Sequence, residues 1–337
     1  VSGYRGISLL SVPGKCLEKL VIDRLNHFLV SSNCIPPQQY GFTQGKSTAD
    51  AIKAVIEFVR NTRSTGHKCC LLALDIVGAF DNAWHPGLLA LLRKLKCPTN
   101  IYSLLRDFIS NRSAHCSIGL SSSEKKVTKG CPQGSVSGPT LWNIIISDLI
   151  EKLTNLPNLE IVIFADDIML MLSGPSHIDV LRTLDHSLQI TENWCNTNKL
   201  EISKEKSSLM PMYIRKRQEY TSHPTVVSRG LNVVTKLKYL GVILDSKLDW
   251  YPHTQYLDDK ILRIRNNLIC CSKPTWGISF HNMITTYKYT LLQVIHYAWY
   301  ASISNYNKFK DPPSFLQQKL TEQYPTKHCK QLQDKCQ

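Results

Sequence analysis

No Cys-x-x-Cys pair occurs in the 337 residues, although the chain holds twelve cysteines. Two doublets, Cys69-Cys70 and Cys270-Cys271, lie in or beside apolar segments, and His328-Cys329 with Cys336 offers too few ligands for zinc. Zinc ribbons and dithiol redox motifs are therefore excluded, and the thiols read as reduced, small apolar residues of an intracellular protein. Long hydrophobic runs are missing too. The two longest candidates are interrupted by Asp148 and by Asp166-Asp167, so a membrane-spanning helix is not expected. No internal repeat and no low-complexity tract is found. The chain starts at Val1 without a charged-then-apolar leader, so no signal peptide is expected, and the lack of an initiator Met suggests a fragment.

Acidic charge is in short supply. Asp and Glu number 26 against 40 Lys and Arg, a formal net charge of +14. The imbalance is mostly C-terminal, with 20 basic against 16 acidic residues in 1–200 but 20 against 10 in 201–337. A surplus of this kind is the electrostatic footprint of a polyanionic partner. Hydrophobic content of 43% with 20% charged residues describes a globular protein, long enough for one large or two medium domains.

Helical spacing of Leu17, Leu20, Val21, Leu25, Phe28 and Leu29 predicts a helix from Val12 to Val30. Ser47 to Asp50 reads as a capping box opening a second, with Ile52, Val55, Ile56 and Val59 on one face. Between them, Gly41-Phe-Thr-Gln-Gly45-Lys46 approaches a phosphate-binding P-loop but has three residues between its glycines instead of four, and no strand before it. The NTPase reading fails. Glycines, Lys46 and a helix N-terminus can still meet a phosphate.

Ile161 to Leu172 holds two apolar runs around Asp166-Asp167, which predicts strand, tight turn and strand. Two adjacent carboxylates among such neighbours repel each other and lose solvation, a cost that a hard divalent cation removes. Cys69 to Leu74 is another short apolar strand ending in a carboxylate, Asp75. Helices are expected from about Pro86 to Leu95, from Thr99 to Ile109, from Leu141 to Leu153 and from Ile178 to Asn196. A strand is expected at Ala114 to Gly119 and another at Ser207 to Tyr213. Arg215 to Arg217 and Ser222-His-Pro read as surface loop, Lys236 to Asp245 as a hairpin, and the pattern from His253 as helical. Lys129 to Pro139 is a turn-rich loop that brings backbone N–H groups and the Gln133 amide to a helix entrance, which suits a nucleotide or a template base. Should the two carboxylate-tipped strands share a sheet, three acids converge, and two metal ions about 3.5–4 Å apart could bridge the attacking and leaving oxygens of a phosphoryl displacement.

Six segments carry a family resemblance. Tyr4-Arg-Gly-Ile-Ser-Leu-Leu10, Tyr40-Gly-Phe42, Leu74-Asp-Ile-Val-Gly-Ala-Phe-Asp81, Gly130-Cys-Pro-Gln-Gly-Ser-Val-Ser-Gly-Pro139, Phe164-Ala-Asp-Asp167 and Leu237-Lys-Tyr-Leu-Gly241 resemble the motif series of reverse transcriptases of non-LTR (LINE-type) retrotransposons, over about residues 1–245. The resemblance implies an α+β right-hand polymerase, with fingers and an antiparallel palm sheet in 1–245 and a mostly helical, incomplete thumb or C-terminal connection in 246–337. It implies an RNA-directed DNA polymerase that extends a primer 3′-OH with dNTPs and two Mg²⁺ ions. Asp75, Asp166 and Asp167 would be the metal-binding catalytic acids, with the Ile76 carbonyl an extra ligand. Phe80 would exclude a ribose 2′-hydroxyl. Gln133 and Gly134 would contact the nucleotide and the template base, with Lys46 at the phosphates and Lys206 near the leaving pyrophosphate. Leu237, Tyr239, Leu240 and Gly241 would position the primer. An RNA template, a DNA primer or target and dNTPs are the implied partners, with no membrane and no obligate protein partner. The implied location is the nucleus or cytoplasm, as a retroelement ribonucleoprotein. Gly6 stands where the family has Pro, and Thr43 where it has Arg. Thr43 motivates an alternative, a catalytically silent nucleic-acid-binding remnant.

Overall fold

The computed structural model describes residues 8–213 and 218–270, together with 279, 282, 285–294 and 297. The expectations for Tyr4 to Gly6, for Arg215 to Arg217 and for the last thirty residues fall outside the described residues. The chain divides into two units, residues 1–253 and 254–337.

In chain order the first unit contains α1 (Val12–Ser31), α2 (Thr48–Ser64), β1 (Lys68–Leu74), α3 (His85–Lys94), α4 (Thr99–Ile109), β2 (Arg112–Ile118), β3 (Ser121–Val127), α5 (Gly138–Thr154), β4 (Leu159–Phe164) and β5 (Asp167–Gly174). It continues through α6 (His177–Thr197), β6 (Ser208–Pro211), α7 (Gln218–Thr221), α8 (Pro224–Arg229), β7 (Asn232–Val233), β8 (Lys236–Tyr239) and β9 (Val242–Asp245). A further helix, α9, spans Tyr251–Cys270, and in the second unit a π-helical turn spans Tyr287–Leu292.

Local chemistry sets several of these boundaries. The Ser47 hydroxyl accepts from the Asp50 N–H while the Asp50 carboxylate accepts from the Ser47 N–H, so the predicted capping box opens α2. Two expectations needed correction. Ser222-His-Pro, read as surface loop, is so only in part: Ser222 and His223 separate two short helices, α7 and α8, for which no element was expected. The second starts with Pro224 in its first turn and stops at Gly230, whose φ of 63° is the left-handed stop that glycine supplies. The polar stretch Ser121–Val127, for which no strand was expected, pairs with β2 along its whole length.

Five strands form one sheet in the order β4-β5-β1-β6-β7, antiparallel except for the β6–β7 pair. The middle strands are apolar on both faces because both faces are covered. Cys70, Leu72, Leu74, Ile163, Ile168, Leu170 and Leu172 join one buried cluster with α5 and α6. Leu71, Met169 and Met171 are equally buried but lie outside that cluster, and α2 packs on the same three strands. Fully burying each Leu or Met removes it from water for about 2 kcal/mol. The sheet is therefore a stiff base from which the strand ends project.

Candidate active site

The register fixes the first relationship. Leu74 of β1 pairs with Ile168 of β5, so the next residue, Asp75, stands level with Asp167 across adjacent strands. Phe164 pairs with Asp167, closing a two-residue turn of Ala165 and Asp166. The carboxylates of Asp75 and of the Asp166-Asp167 pair thus belong to one rim of one sheet.

Ala165 has φ 59°, a left-handed conformation that costs a side-chain-bearing residue about 1–2 kcal/mol. Packing holds it there. The Trp142 indole N–H donates to the Ala165 carbonyl at 2.9 Å. From the other side the Gln38 to Gly41 segment covers the free edge of β4. The Tyr40 N–H donates to Ile163 O at 2.7 Å, and the Ile163 N–H donates to Gln38 O at 2.9 Å. Asn143, on the same helix as Trp142, donates to Gly41 O at 3.1 Å, and the buried Gln39 side chain accepts from the Gly41 N–H. Gly41 sits so close that a Cβ there would lie 2.2 Å from the Ala165 nitrogen.

Charge at the rim is poorly balanced. Asp167 keeps an open edge to solvent, yet burial, and then the neighbouring Asp166 and Asp75 charges, push its carboxyl up to about 6, with Lys206 opposing. Lys206 Nζ lies 3.3 Å from Asp75 Oδ2, but that oxygen is buried and accepts no hydrogen bond. Ser207 Oγ accepts from the Asp75 N–H at 3.3 Å. Alongside, the Val77 N–H donates to Glu201 O and the Ser203 N–H to Asp75 O, around the bridge Ile76–Ile202. In such a pair the bridged residues' own amides point away from each other, which directs the Ile76 carbonyl to the β5 side. As the side chains stand, no three His, Cys, Asp or Glu groups among the described residues enclose an ion, because Asp75 is turned to Lys206. The donor set nevertheless fits a hard divalent cation: all-oxygen, acidic, with one buried oxygen accepting no hydrogen bond and one acid raised by burial and then by its acidic neighbours.

A second group is attached to the first by aromatic rings. Phe80 lies 5.6 Å from Trp142 and 6.3 Å edge-on from Phe42. Gln133 donates to both Asp81 oxygens, at 3.0 and 3.1 Å. Its loop is sewn to the Phe80 turn by the Cys131 N–H to Phe80 O and the Gly130 N–H to Ala83 O, at 2.7 and 2.8 Å. Gly130 approaches Asp81 so closely that a Cβ would lie 2.6 Å from its carbonyl oxygen. Gly134 adopts φ 97°, open to glycine. The β8–β9 hairpin turns on Leu240 and Gly241, both at positive φ, as a type I′ turn requires. Leu237 and Tyr239 are buried, and the Asp167 charge, after burial, raises the Tyr239 phenol. Lys46 stands apart. Its ammonium donates to the carbonyls of Pro37 and Gln39 and lies over the Tyr40 ring, so it braces the loop that carries Gly41.

Sequence reasoning singled out the acids but missed their supports, Trp142, Asn143 and Gln39, and the role of Asp81 as the partner of Gln133. Asn143 did leave a signal: it is a polar residue inside the apolar run Leu141 to Ile146, where an amide is retained only if it is bonded.

A carboxylate-tipped antiparallel sheet backed by helices, with a glycine-rich loop facing it, defines the palm of a right-hand polymerase. The chain belongs to the reverse transcriptase (RNA-dependent DNA polymerase) family, whose profile matches residues 1–244. It is 31% identical over 260 residues to an RNA-directed DNA polymerase from mobile element jockey of Drosophila melanogaster, covering 75% of this chain and 28% of that one. It is 30% identical over 256 residues to a probable RNA-directed DNA polymerase from transposon BS of the same species, covering 74% and 28%. With a Pol polyprotein from type-1 retrotransposable element R1 of Bradysia coprophila it shares 29% over 307 residues, 89% and 30% of the two chains. The expected LINE-type assignment stands. The chain spans just over a quarter of the length of these relatives. Among solved structures, telomerase from Candida tropicalis superposes with a TM-score of 0.50 at 10% identity, over 87% of this chain and 47% of that one, a likeness of fold. The family generally uses divalent metal ions. No helix among the described residues is long and apolar enough to cross a membrane.

Proposed function

We propose that this chain is the polymerase part of a LINE-type retroelement protein and extends a primer 3′-OH with dNTPs on an RNA template. The observation that carries the reading is the strand register that sets Asp75 level with Asp167 beside the Asp166 turn. Asp75, Asp166 and Asp167, with the Ile76 carbonyl, would hold two Mg²⁺ ions. Bound there, such ions supply charge neutralisation at the attacking and leaving oxygens.

The chain's own groups do the rest. Lys206, now 3.3 Å from Asp75, would follow the leaving pyrophosphate, where a cation stabilises the charge that develops. Phe80, whose ring lies 5.6 Å from that of Trp142, would lie against the incoming sugar and select dNTPs over ribonucleotides. Gln133 and Gly134 contact the nucleotide and the template base. Lys46 supports the phosphate side through the Gly41 loop. Leu237, Tyr239, Leu240 and Gly241 hold the primer end. Residues 1–245 act as fingers and palm and 246–337 as thumb or C-terminal connection, in a nuclear or cytoplasmic ribonucleoprotein with its RNA template and DNA target.

Primer extension on poly(rA)/oligo(dT) with dTTP and Mg²⁺ tests the reading. Incorporation by the native chain that disappears in Asp166→Ala supports it. Template retention without incorporation supports the silent-remnant alternative that Thr43 motivates.

A further inference from the structure

Between α4 and the Gln133 loop the chain builds a hairpin of unusual exposure. Every residue from Ser113 to Lys126 is exposed. A two-stranded hairpin with no buried face is marginal in water. This one is held by its own ladder, by an exposed His115–Glu124 contact at 3.3 Å, and at its root by the Arg112 guanidinium 4.7 Å from the Phe108 ring.

Its tip is also unusual. Turns at a hairpin end are normally polar, yet here Ile118 and Leu120 flank Gly119 and are 80% and 108% exposed. Behind the tip the surface is hydroxyl-rich and basic. Register puts Ser121, Ser123 and Lys125 on one face and Ser113, Ser117, Ser122 and Lys126 on the other. The one acid, Glu124, is already answered by His115. Serine hydroxyls and lysine ammonium groups are the repertoire that contacts phosphates, whereas bare apolar side chains on a projecting element unstack base steps.

The hairpin's root lies on the candidate site. Val127 ends β3, and two residues on, Lys129, at the start of the loop whose Gln133 bonds Asp81, bridges to Trp84 at the head of α3. Seven residues at about 3.3 Å each give the tip a reach of about 23 Å, or roughly seven stacked nucleotides.

We propose that the β2–β3 hairpin is a strand-separating wedge for nucleic acid, with Ile118 and Leu120 entering the duplex ahead of the polymerising site and Lys125, Lys126 and the serines holding its phosphates. The inference rests on the polymerase reading above and assigns to this hairpin the opening of a duplex that lies in the path of synthesis.

The test uses the 337-residue chain with a primer–template, either open or carrying a blocking oligonucleotide downstream. Ile118→Ser with Leu120→Ser should slow synthesis through the block about tenfold while extension on the open template stays within about twofold. Lys125→Ser with Lys126→Ser should reduce the slope of log affinity against log salt for a forked duplex by about two, one per lost phosphate contact. Neither pair removes a buried side chain, and thermal melts should superpose on the native one. Equal displacement by native and tip-substituted chains overturns the wedge and leaves the tip to a protein partner. If the native chain extends nothing, the forked-duplex measurement still decides: a lower salt slope in the lysine pair supports the contact, and an unchanged slope overturns it.

Discussion

Two hairpins in this molecule share a turn design and differ in everything behind it. In β2–β3 the two-residue turn starts with Gly119 at φ 60°, and in β4–β5 it starts with Ala165 at φ 59°. The first stands in solvent and uses the residue that tolerates the angle. The second uses a residue that does not, and the difference is supplied by Trp142, Asn143 and Gly41 packed around it. Hairpin geometry is thus a local matter, whereas placing two carboxylates to within a fraction of an ångström is a matter of what is packed behind the turn.

Matching glycine substitutions break that comparison most sharply. Gly41→Ala drives a Cβ to within 2.2 Å of the Ala165 backbone and should lower stability by about 2 kcal/mol or more, with polymerase activity falling about a hundredfold. Gly119→Ala meets nothing within 4 Å and should cost only the left-handed backbone strain of about 1–2 kcal/mol, confined to the outer hairpin, with open-template extension unchanged. Urea denaturation and single-nucleotide extension of both variants check the pair. Next in size is Phe80→Val, which removes the ring tilted against Trp142 and should raise ribonucleotide use relative to dNTP about tenfold or more, read from the ratio of kcat/KM values. Trp142→Phe then removes the indole N–H from Ala165 O and should cost about 1 kcal/mol, with a larger loss of kcat than of stability.

A last effect concerns pH. Because Asp167 in the folded chain is raised to about 6 from an ordinary 3.8, the folded state binds its proton more tightly than the unfolded chain does. That contribution to stability is fully present below about pH 4 and is lost as pH rises through about 6. Denaturation midpoints in EDTA should fall over that window in the native chain and fall less in Asp167→Asn.

Much of the fold was legible in the sequence because its signals are local. The capping box at Ser47 and Asp50, the apolar runs of β1, β4 and β5, and the Leu240-Gly241 turn each carry their own chemistry. The meeting of three acids at one rim was foreseeable for a related reason, since carboxylates at the ends of apolar strands are costly without a partner. What escaped was set by tertiary contact. Strand β3, Ser-Ser-Ser-Glu-Lys-Lys-Val, has no alternation to reveal it and exists because β2 pairs with it. Gly41 reads like any loop glycine until the Ala165 nitrogen is found beside it, and nothing local announces that the Lys46 ammonium donates to the carbonyls of its own loop.

The central claim is that acids from two adjacent strands share divalent ions. Mn²⁺ titration followed by electron paramagnetic resonance, on the chain bound to a dideoxy-terminated primer–template with the next dNTP, measures this directly. The native chain should take up two ions with high affinity, and Asp75→Asn and Asp166→Asn should each lose at least one while their thermal melts remain cooperative. Native-like uptake of Mn²⁺ by both variants would contradict the account.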